Sequence, residues 1–417
     1  MAIKCLPLSM KKLLLILAVA TCSYLIIGKS VMPARLKTTK PRDILSIEQQ
    51  QQQQNIVSKK SSIVHNDKTK EYEKSIIVLV RNDHDVVLER IRSPDINMQR
   101  NGTIATVIGN IENKPSAENI SLFDELEKHL SKNSSDDSKN ICPDPENNKE
   151  LSNWTVATSS ALITNLKEAE VQRHYPYLKP GGHWKPDDCT TEHKIAVIIP
   201  FRDRQTHLTR LIDFLIPVFR RQQLNFRFIV TEQYGHDLFN KGRIMNAAFR
   251  LAEHLNVSCV IFHDVDMFPQ DDRNFYGCPP TPRHLGAFVS NLGYQLWYKE
   301  IVGGVLAISM DDYRAVNGYS NMYWGWGGED DDMGKRIMTQ NLTIERPDTI
   351  TGRFTMLKHT KRKRVAPSLV YKLLDEAEKR YQTDGLNVTS WKILKVTLRP
   401  LYYHIYVDVG KPPPEWV

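Results

Sequence analysis

The sequence predicts an α/β domain built on a parallel sheet, and three observations carry that expectation. Residues 195–199, Ile-Ala-Val-Ile-Ile, form an unbroken apolar run closed by Pro200, the pattern of a strand buried on both faces. Residues 206–220 carry apolar side chains at helical spacing, 226–230 alternate like a strand, 240–254 read as a helix and 259–263 as another strand. That alternation implies strands paired in parallel through helical crossovers. Ligands of such sheets sit beyond the carboxyl ends of the strands. Pro200-Phe201-Arg202 and Asp264-Val265-Asp266 each stand just past one.

The domain is assigned to residues 141–417, and the sequence ahead of it has another texture. The chain has 417 residues and a formal net charge of +8. Lys4, Lys11, Lys12, Lys29, Arg35, Lys37, Lys40 and Arg42, against Asp43, supply nearly all of that charge. The remainder is close to neutral and lacks the basic footprint of a nucleic-acid binder. Residues 13–28 form an apolar run behind Lys11 and Lys12, which reads as a single-pass signal-anchor with residues 1–12 on the cytoplasmic side. A cleaved signal peptide ending at Ala18-Val19-Ala20 is the alternative, but bulky residues continue past that point and favour the anchor.

Residues 29–140 contain a glutamine run at 49–54, clusters of Lys, Ser and Asn, and little apolar periodicity. They read as a largely disordered stem, with 75–80 the main strand-like exception. Cys5 and Cys22 lie in or beside the anchor. Cys142, Cys189, Cys259 and Cys278 remain, an even set that implies two disulfides in an oxidising compartment with three possible pairings. Asn101, Asn119, Asn133, Asn153, Asn256, Asn341 and Asn387 all open N-glycosylation sequons.

Two motifs carry chemistry. In Asp264-Val265-Asp266, two carboxylates on an extended tip would point to opposite sides. One could hold a divalent cation, which takes hard oxygen ligands, while the other meets a sugar or ribose. A solvated loop end is the plainer alternative, weakened by the buried strand just before it. In Tyr323-Trp324-Gly325-Trp326-Gly327-Gly328-Glu329-Asp330-Asp331-Asp332, flat aromatic surfaces on a glycine-rich segment meet four consecutive acids. Such acids repel one another unless cations or sugar hydroxyls satisfy them. They also suit a helix N-terminus, and both readings can hold together.

These motifs, with Pro200-Phe201-Arg202-Asp203-Arg204, Phe239-Asn240 and Asp384-Gly385-Leu386 in the same order, resemble the β-1,4-galactosyltransferase family, glycosyltransferase family 7, over residues 142–410. The resemblance implies a GT-A fold with a Rossmann-like mixed sheet, an inverting mechanism, Mn2+ as cofactor, a UDP-sugar donor and a Golgi-lumenal catalytic domain. It implies that Pro200, Phe201, Arg202, Arg204, Lys241, Asp264, Val265 and Trp326 bind the nucleotide sugar, with Phe239 facing the uracil. Asp266, Met356 and His359 would hold the metal, and a thioether suits manganese better than magnesium. Asp330 would be the catalytic base beside Glu329. Gly328, Glu329, Asp330 and Asp331 would bind a terminal N-acetylglucosamine, with Tyr371 and Leu374 near its N-acetyl group. Trp326 would ride on a mobile flap. The pairings implied are Cys142–Cys189 and Cys259–Cys278.

The chain departs from the family pattern in places. Vertebrate members carry a tyrosine two residues before the paired glycine that is Gly303-Gly304 here, and this chain has Ile301. An aliphatic residue there is typical of invertebrate members that transfer N-acetylgalactosamine, because losing the phenol leaves room for an acetamide. UDP-GalNAc is therefore the expected donor, giving GalNAcβ1-4GlcNAc, with UDP-galactose the alternative. A xylose-directed relative and an inactive lectin-like member are remoter readings. Lys241 stands where arginine is common, keeping the charge but losing the bidentate fork. Thr355 replaces a free cysteine of mammalian relatives.

Overall fold

The structure is a computed structural model and describes residues 75–81, 86–92, 104–111, 140–143, 165–358 and 365–417. All of these fall in one compact unit, Glu71–Val417. The expected cytoplasmic tail and anchor lie outside the described residues, as do Asn101, Asn119, Asn133, Asn153 and His359. Among the described residues no helix is long and apolar enough to cross a membrane.

Three antiparallel strands come first, β1 (Ser75–Arg81), β2 (Val86–Arg92) and β3 (Ile104–Ile111). After α1 (Glu168–His174) the chain runs through β4 (Lys194–Phe201), α2 (Gln205–Arg221), β5 (Asn225–Gln233), α3 (Lys241–His254) and β6 (Cys259–His263). These are the elements expected from the apolar pattern. Shorter pieces follow: β7 (Met267–Pro269), β8 (Arg283–His284), β9 (Phe288–Val289), β10 (Val305–Ser309) and α4 (Met310–Ala315). The remaining elements are α5 (Glu329–Thr339), β11 (Arg353–Met356), α6 (Pro367–Asp375), α7 (Ala377–Arg380), β12 (Lys392–Leu398) and β13 (Tyr403–Asp408).

The main sheet is mixed, in the order β3-β1-β2-β12-β13-β5-β4-β6-β10-β8, and β7-β11-β9 form a smaller one. The three central strands β5, β4 and β6 are parallel. The run at 195–199 does what its continuity demands. Ile195, Val197 and Ile199 enter the core on one face with Leu211, Leu215 and Phe219 of α2. Ala196 and Ile198 enter the core on the other face with Ile244, Ala248 and Leu251 of α3. The sheet is thus covered on both sides, and β4 is the strand at which the order of connection reverses.

Both implied disulfides are present, Cys142–Cys189 and Cys259–Cys278. Ordered strands also extend into 29–140, the span read as stem. Only 75–80 stood out there, because β2 and β3 are interrupted by charged, polar or glycine residues. Their pairing depends on a distant partner, since β2 joins the sheet through β12, with Leu88 opposite Val396. Leu88 is buried against the same core as β12.

Candidate functional site

The carboxyl ends of β4 and β6 lie next to each other where the strand order reverses, the place at which ligands of such sheets bind. Residues 200–204 form one lip and 264–266 the other. The expected extended tip at Asp264 is instead a turn: Met267 N donates to Asp264 O at 3.2 Å, and Asp264 N donates to Gly304 O at 2.8 Å. The two carboxylates still diverge. Asp264 Oδ1 lies 3.1 Å from Lys241 Nζ, whereas Asp266 Oδ2 lies 3.9 Å from Arg204 Nη1. Asp266 and Val265 are buried.

Lys241 opens α3 and reaches across to three acids. Its Nζ is 3.1 Å from Asp264 Oδ1, 3.4 Å from Glu329 Oε1 and 3.1 Å from Asp330 Oδ2. An ammonium offers three donors from one point, which suits three converging carboxylates better than a planar fork. Burial opposes its charge, yet Asp264, Asp330 and Glu329 together hold its pKa well above the usual lysine value. Burial pushes the Glu329 carboxyl up to about 7, with Asp330 adding to the effect and Lys241 opposing it. Asp330 is raised by the same burial against the pull of Lys241. A Cβ on Gly303 would stand 3.1 Å from Asp330 Oδ2, so the absence of a side chain there leaves space beside this carboxylate. The resemblance put Lys241 in the nucleotide pocket; its contacts join it to the acids.

The other two acids of the run have protein partners of their own. Asp331 Oδ1 accepts from the Tyr298 hydroxyl at 2.5 Å. Asp332 is fully buried and accepts from Arg336 Nε at 2.5 Å, Arg380 Nη2 at 2.6 Å and the Tyr323 hydroxyl at 2.9 Å. Both arginines also meet Asp384, which accepts from Ser320 Oγ and Asn321 N. Two acids and two arginines thus form a closed quartet under α5, joining it to α7 and to the Asp384-Gly385-Leu386 motif. Asp332→Ala would leave two buried guanidiniums sharing the single carboxylate of Asp384 and should lower stability by about 3–5 kcal/mol. Tyr323→Phe, which removes one neutral donor, should lose about 1 kcal/mol. Denaturant midpoints of the two variants test this, and equal small losses would contradict it.

The aromatic and glycine residues divide their roles. Trp324 is buried under the Arg243 guanidinium, 4.9 Å from the ring centre, so of the two only Trp326, 53% exposed, is open to solvent. Gly325, Gly327 and Gly328 have φ of 86°, 94° and 104°, backbone that side chains resist. A Cβ on Gly328 would also stand 2.7 Å from the Tyr323 ring and 2.8 Å from Val370. Gly325 N donates to Phe239 O at 2.8 Å, tying this segment to the first lip. Phe239 is largely buried, with the Arg202 guanidinium 4.9 Å above its ring. Arg202 is in turn held by Asp237 O at 2.8 Å. Pro200 and Phe201 are buried at the end of β4.

Two expected metal ligands, Asp266 and Met356, stand on adjacent stretches of backbone. In the small sheet Met356 pairs with Met267, and Leu357 N donates to Asp266 O at 2.9 Å. Met356 Sδ receives Asn291 Nδ2 at 3.0 Å. Among the described residues no cluster of three or more His, Cys, Asp or Glu side chains forms a metal site, and His359 lies outside them. Asp266 is buried and Met356 half-buried, and a carboxylate with a thioether is a donor set that suits a divalent ion of intermediate softness.

Ile301 is half-buried two residues before Gly303, its carbonyl held by Arg346 Nη2 at 3.0 Å. Of the acceptor-pocket residues on α6, Tyr371 is 59% exposed, and Leu374 is partly buried with its carbonyl taken by Lys335. It is Val370, beside Tyr371 on α6, that packs against Gly328. Thr355 Oγ1 accepts from Gln270 Nε2 at 2.9 Å. Asn256, Asn341 and Asn387 are exposed, and the Asn387 amide donates to Gln382 O at 2.6 Å.

Residues 145–279 match the model of the N-terminal region of glycosyl transferase group 7, and 283–360 match that of the N-terminal domain of galactosyltransferase. The β-1,4-galactosyltransferase 1 of Mus musculus is 40% identical over 239 residues, covering 57% of this chain and 60% of that protein. The β-1,4-galactosyltransferase 5 of Danio rerio is 38% identical over 272 residues, covering 65% and 71%. The chain therefore spans about 60% of the length of the first mammalian relatives it matches. The catalytic domain of Drosophila β-1,4-galactosyltransferase 7, solved with xylobiose, is 27% identical, covering 52% of this chain and 94% of that one with a TM-score of 0.47.

Proposed function

The chain belongs to the glycosyltransferase group 7 family, and from that premise we propose that it is an inverting β-1,4-glycosyltransferase transferring N-acetylgalactosamine from UDP-GalNAc to terminal N-acetylglucosamine. The observation that carries this reading is the convergence of Asp264, Glu329 and Asp330 on one largely buried lysine beyond the parallel centre of the mixed sheet. A GT-A fold goes with it, supported by the parallel core of β5, β4 and β6.

In this reading Asp330 accepts the proton from the acceptor 4-hydroxyl as that oxygen attacks the sugar C1, and a single displacement inverts α to β. Lys241 keeps a positive charge against Asp330 and so favours the ionised form that a base needs. Glu329, protonated over a wider range, donates or accepts at the acceptor's other hydroxyls. Arg202 and Arg204 face the nucleotide diphosphate from the first lip. Trp326, carried on three left-handed glycines, covers the bound donor and limits its loss to water. Asp266 and Met356, with His359, would hold a manganese ion, which when bound neutralises charge on the departing diphosphate.

The donor assignment rests on Ile301. It stands two residues before Gly303, which lies against Asp330, and in this reading its side chain borders the C2 substituent of the donor sugar. Ile301→Tyr should fill the space an acetamide needs. Filling or emptying room for one small group is worth about 1–3 kcal/mol, or roughly 10–200-fold in selectivity. The mutant should lose activity with UDP-GalNAc and gain it with UDP-galactose. The ratio of kcat/KM for the two donors is the measurement. A ratio that does not move, or a wild type already preferring UDP-galactose, would favour the second reading, a β-1,4-galactosyltransferase. That reading is supported by relatives of that name at 38–40% identity. The reading also puts the catalytic domain in the Golgi lumen behind a single-pass anchor at 13–28, supported by two disulfides of the kind that persist in oxidising compartments.

A further inference from the structure

Residues 299–304 lead into β10, carry Ile301 and the paired glycine, and belong to no helix or strand. Backbone of that kind must find its hydrogen bonds outside itself or give them to water. Here three alternate carbonyls are met by side chains. Arg346 Nη2 donates to Lys299 O at 2.6 Å and to Ile301 O at 3.0 Å. His284 Nε2 lies 2.8 Å from Gly303 O. A carbonyl only accepts, so that nitrogen carries the hydrogen. Burial pushes the ring pKa down to about 4 and keeps it neutral. The two side chains act as a unit. His284 N donates to Glu345 O at 2.8 Å and Glu345 N to Pro282 O at 2.9 Å, so the stretch that leads to Arg346 is paired with β8. Between the held carbonyls, Glu300 O rests on α5, where a Cβ on Gly334 would collide with it. Gly334 is buried in the middle of that helix. Glycine weakens a helix at such a position, and here its bare backbone is what admits Glu300.

We propose that Arg346, His284 and Gly334 are positioning residues for donor choice: they clamp the backbone at 299–303 and so set the room beside Ile301 for the C2 substituent of the donor sugar. It rests on the reading of Ile301 as the residue that borders that substituent. An aliphatic side chain tells a hydroxyl from an acetamide by shape. Shape discriminates only when the wall cannot retreat, and a shift of about 1 Å is enough to spoil a fitted site. Ile301 stands just ahead of two glycines, the residues least able to hold a wall by themselves. The clamp supplies that stiffness through main-chain atoms alone. Arg346 acts through the carbonyls on either side of Glu300, His284 through Gly303 and Gly334 through Glu300. Donor preference is therefore a property of the held segment and not of the side chain at 301 by itself.

The test measures kcat/KM of the full chain for UDP-GalNAc and UDP-galactose on methyl N-acetylglucosaminide, in the wild type, Arg346→Met, Arg346→Lys, Gly334→Ala and Ile301→Tyr. Arg346→Met should bring the donor ratio at least about fivefold closer to unity, part of the roughly 10–200-fold that one small group can carry. Arg346→Lys keeps a donor within reach of the carbonyls and should restore part of the ratio. Gly334→Ala should shift the same ratio without removing any hydrogen-bond donor. A merely structural role would lower both donors by one factor and leave the ratio where it was. With Ile301→Tyr moving the ratio, values within about twofold of wild type in both Arg346→Met and Gly334→Ala would overturn the clamp, whatever the overall rate, and leave the donor reading standing. If Ile301→Tyr itself leaves the ratio unmoved, or the wild type does not prefer UDP-GalNAc, the donor reading fails and the clamp with it.

Discussion

Asp330→Asn should lower turnover by about a hundredfold or more, the scale of a lost general base, while UDP binding stays within about twofold of wild type. The amide keeps the shape of the carboxylate and one oxygen for Lys241, so the fold and the nucleotide lips have no reason to move. What is lost is the ability to take a proton. The same pair sets the pH profile. A base works ionised, and burial raises both Glu329 and Asp330. Activity should therefore fall on acidification at a pH above the ordinary carboxylate range, and Asp330→Asn should remove that limb from the residual rate. Steady-state kinetics across pH and calorimetry of UDP binding make the test. Turnover within about twofold of wild type would move the base to Glu329.

Asp266→Asn should abolish transfer. The acid is buried, its backbone is fixed by Leu357 and the turn at Asp264, and it is the one carboxylate in the proposed ligand set. Because Arg204 also faces Asp266, loss of activity alone would be ambiguous. Manganese binding to the protein, followed by the spin-resonance signal of the free ion, should weaken in the variant while the thermal midpoint holds. Chelator should silence the wild type and manganese restore it. Undiminished manganese binding by the variant, or full wild-type activity in excess chelator, would refute the metal assignment.

What could be read from the sequence followed from pattern length. The helix that begins after Asn240 was legible because its apolar residues repeat at one period over a whole element, and the strand at 259–263 because its apolar run is unbroken as far as His263. Asn240 also caps that helix, accepting from Arg243 N at 2.9 Å. Strands of two or three residues such as β7, β8 and β9 hold too few positions to show a period. Within the site, the motifs marked the right loops, but not what each side chain would meet. Lys241 and Asp330 are 89 residues apart, and nothing local says that they touch. The acid run invited an explanation by ligands. Its last member is instead a core residue, and Arg336 four residues on was the one local sign of that. Of two tryptophans that look alike in sequence, packing hides Trp324 and exposes Trp326.

The pairing of β2 with β12 bears on where the chain can be cut. A shortened protein starting at residue 141, the boundary suggested by the change in sequence texture, would lack β2. The backbone of Lys395, Val396, Thr397 and Leu398 would then lie along an open sheet edge, with Val396 losing the cover of Leu88. Such an edge recruits other strands, and self-association of the secreted fragment is its ordinary outcome. Keeping residues from 75 onward leaves that edge closed by the protein's own chain.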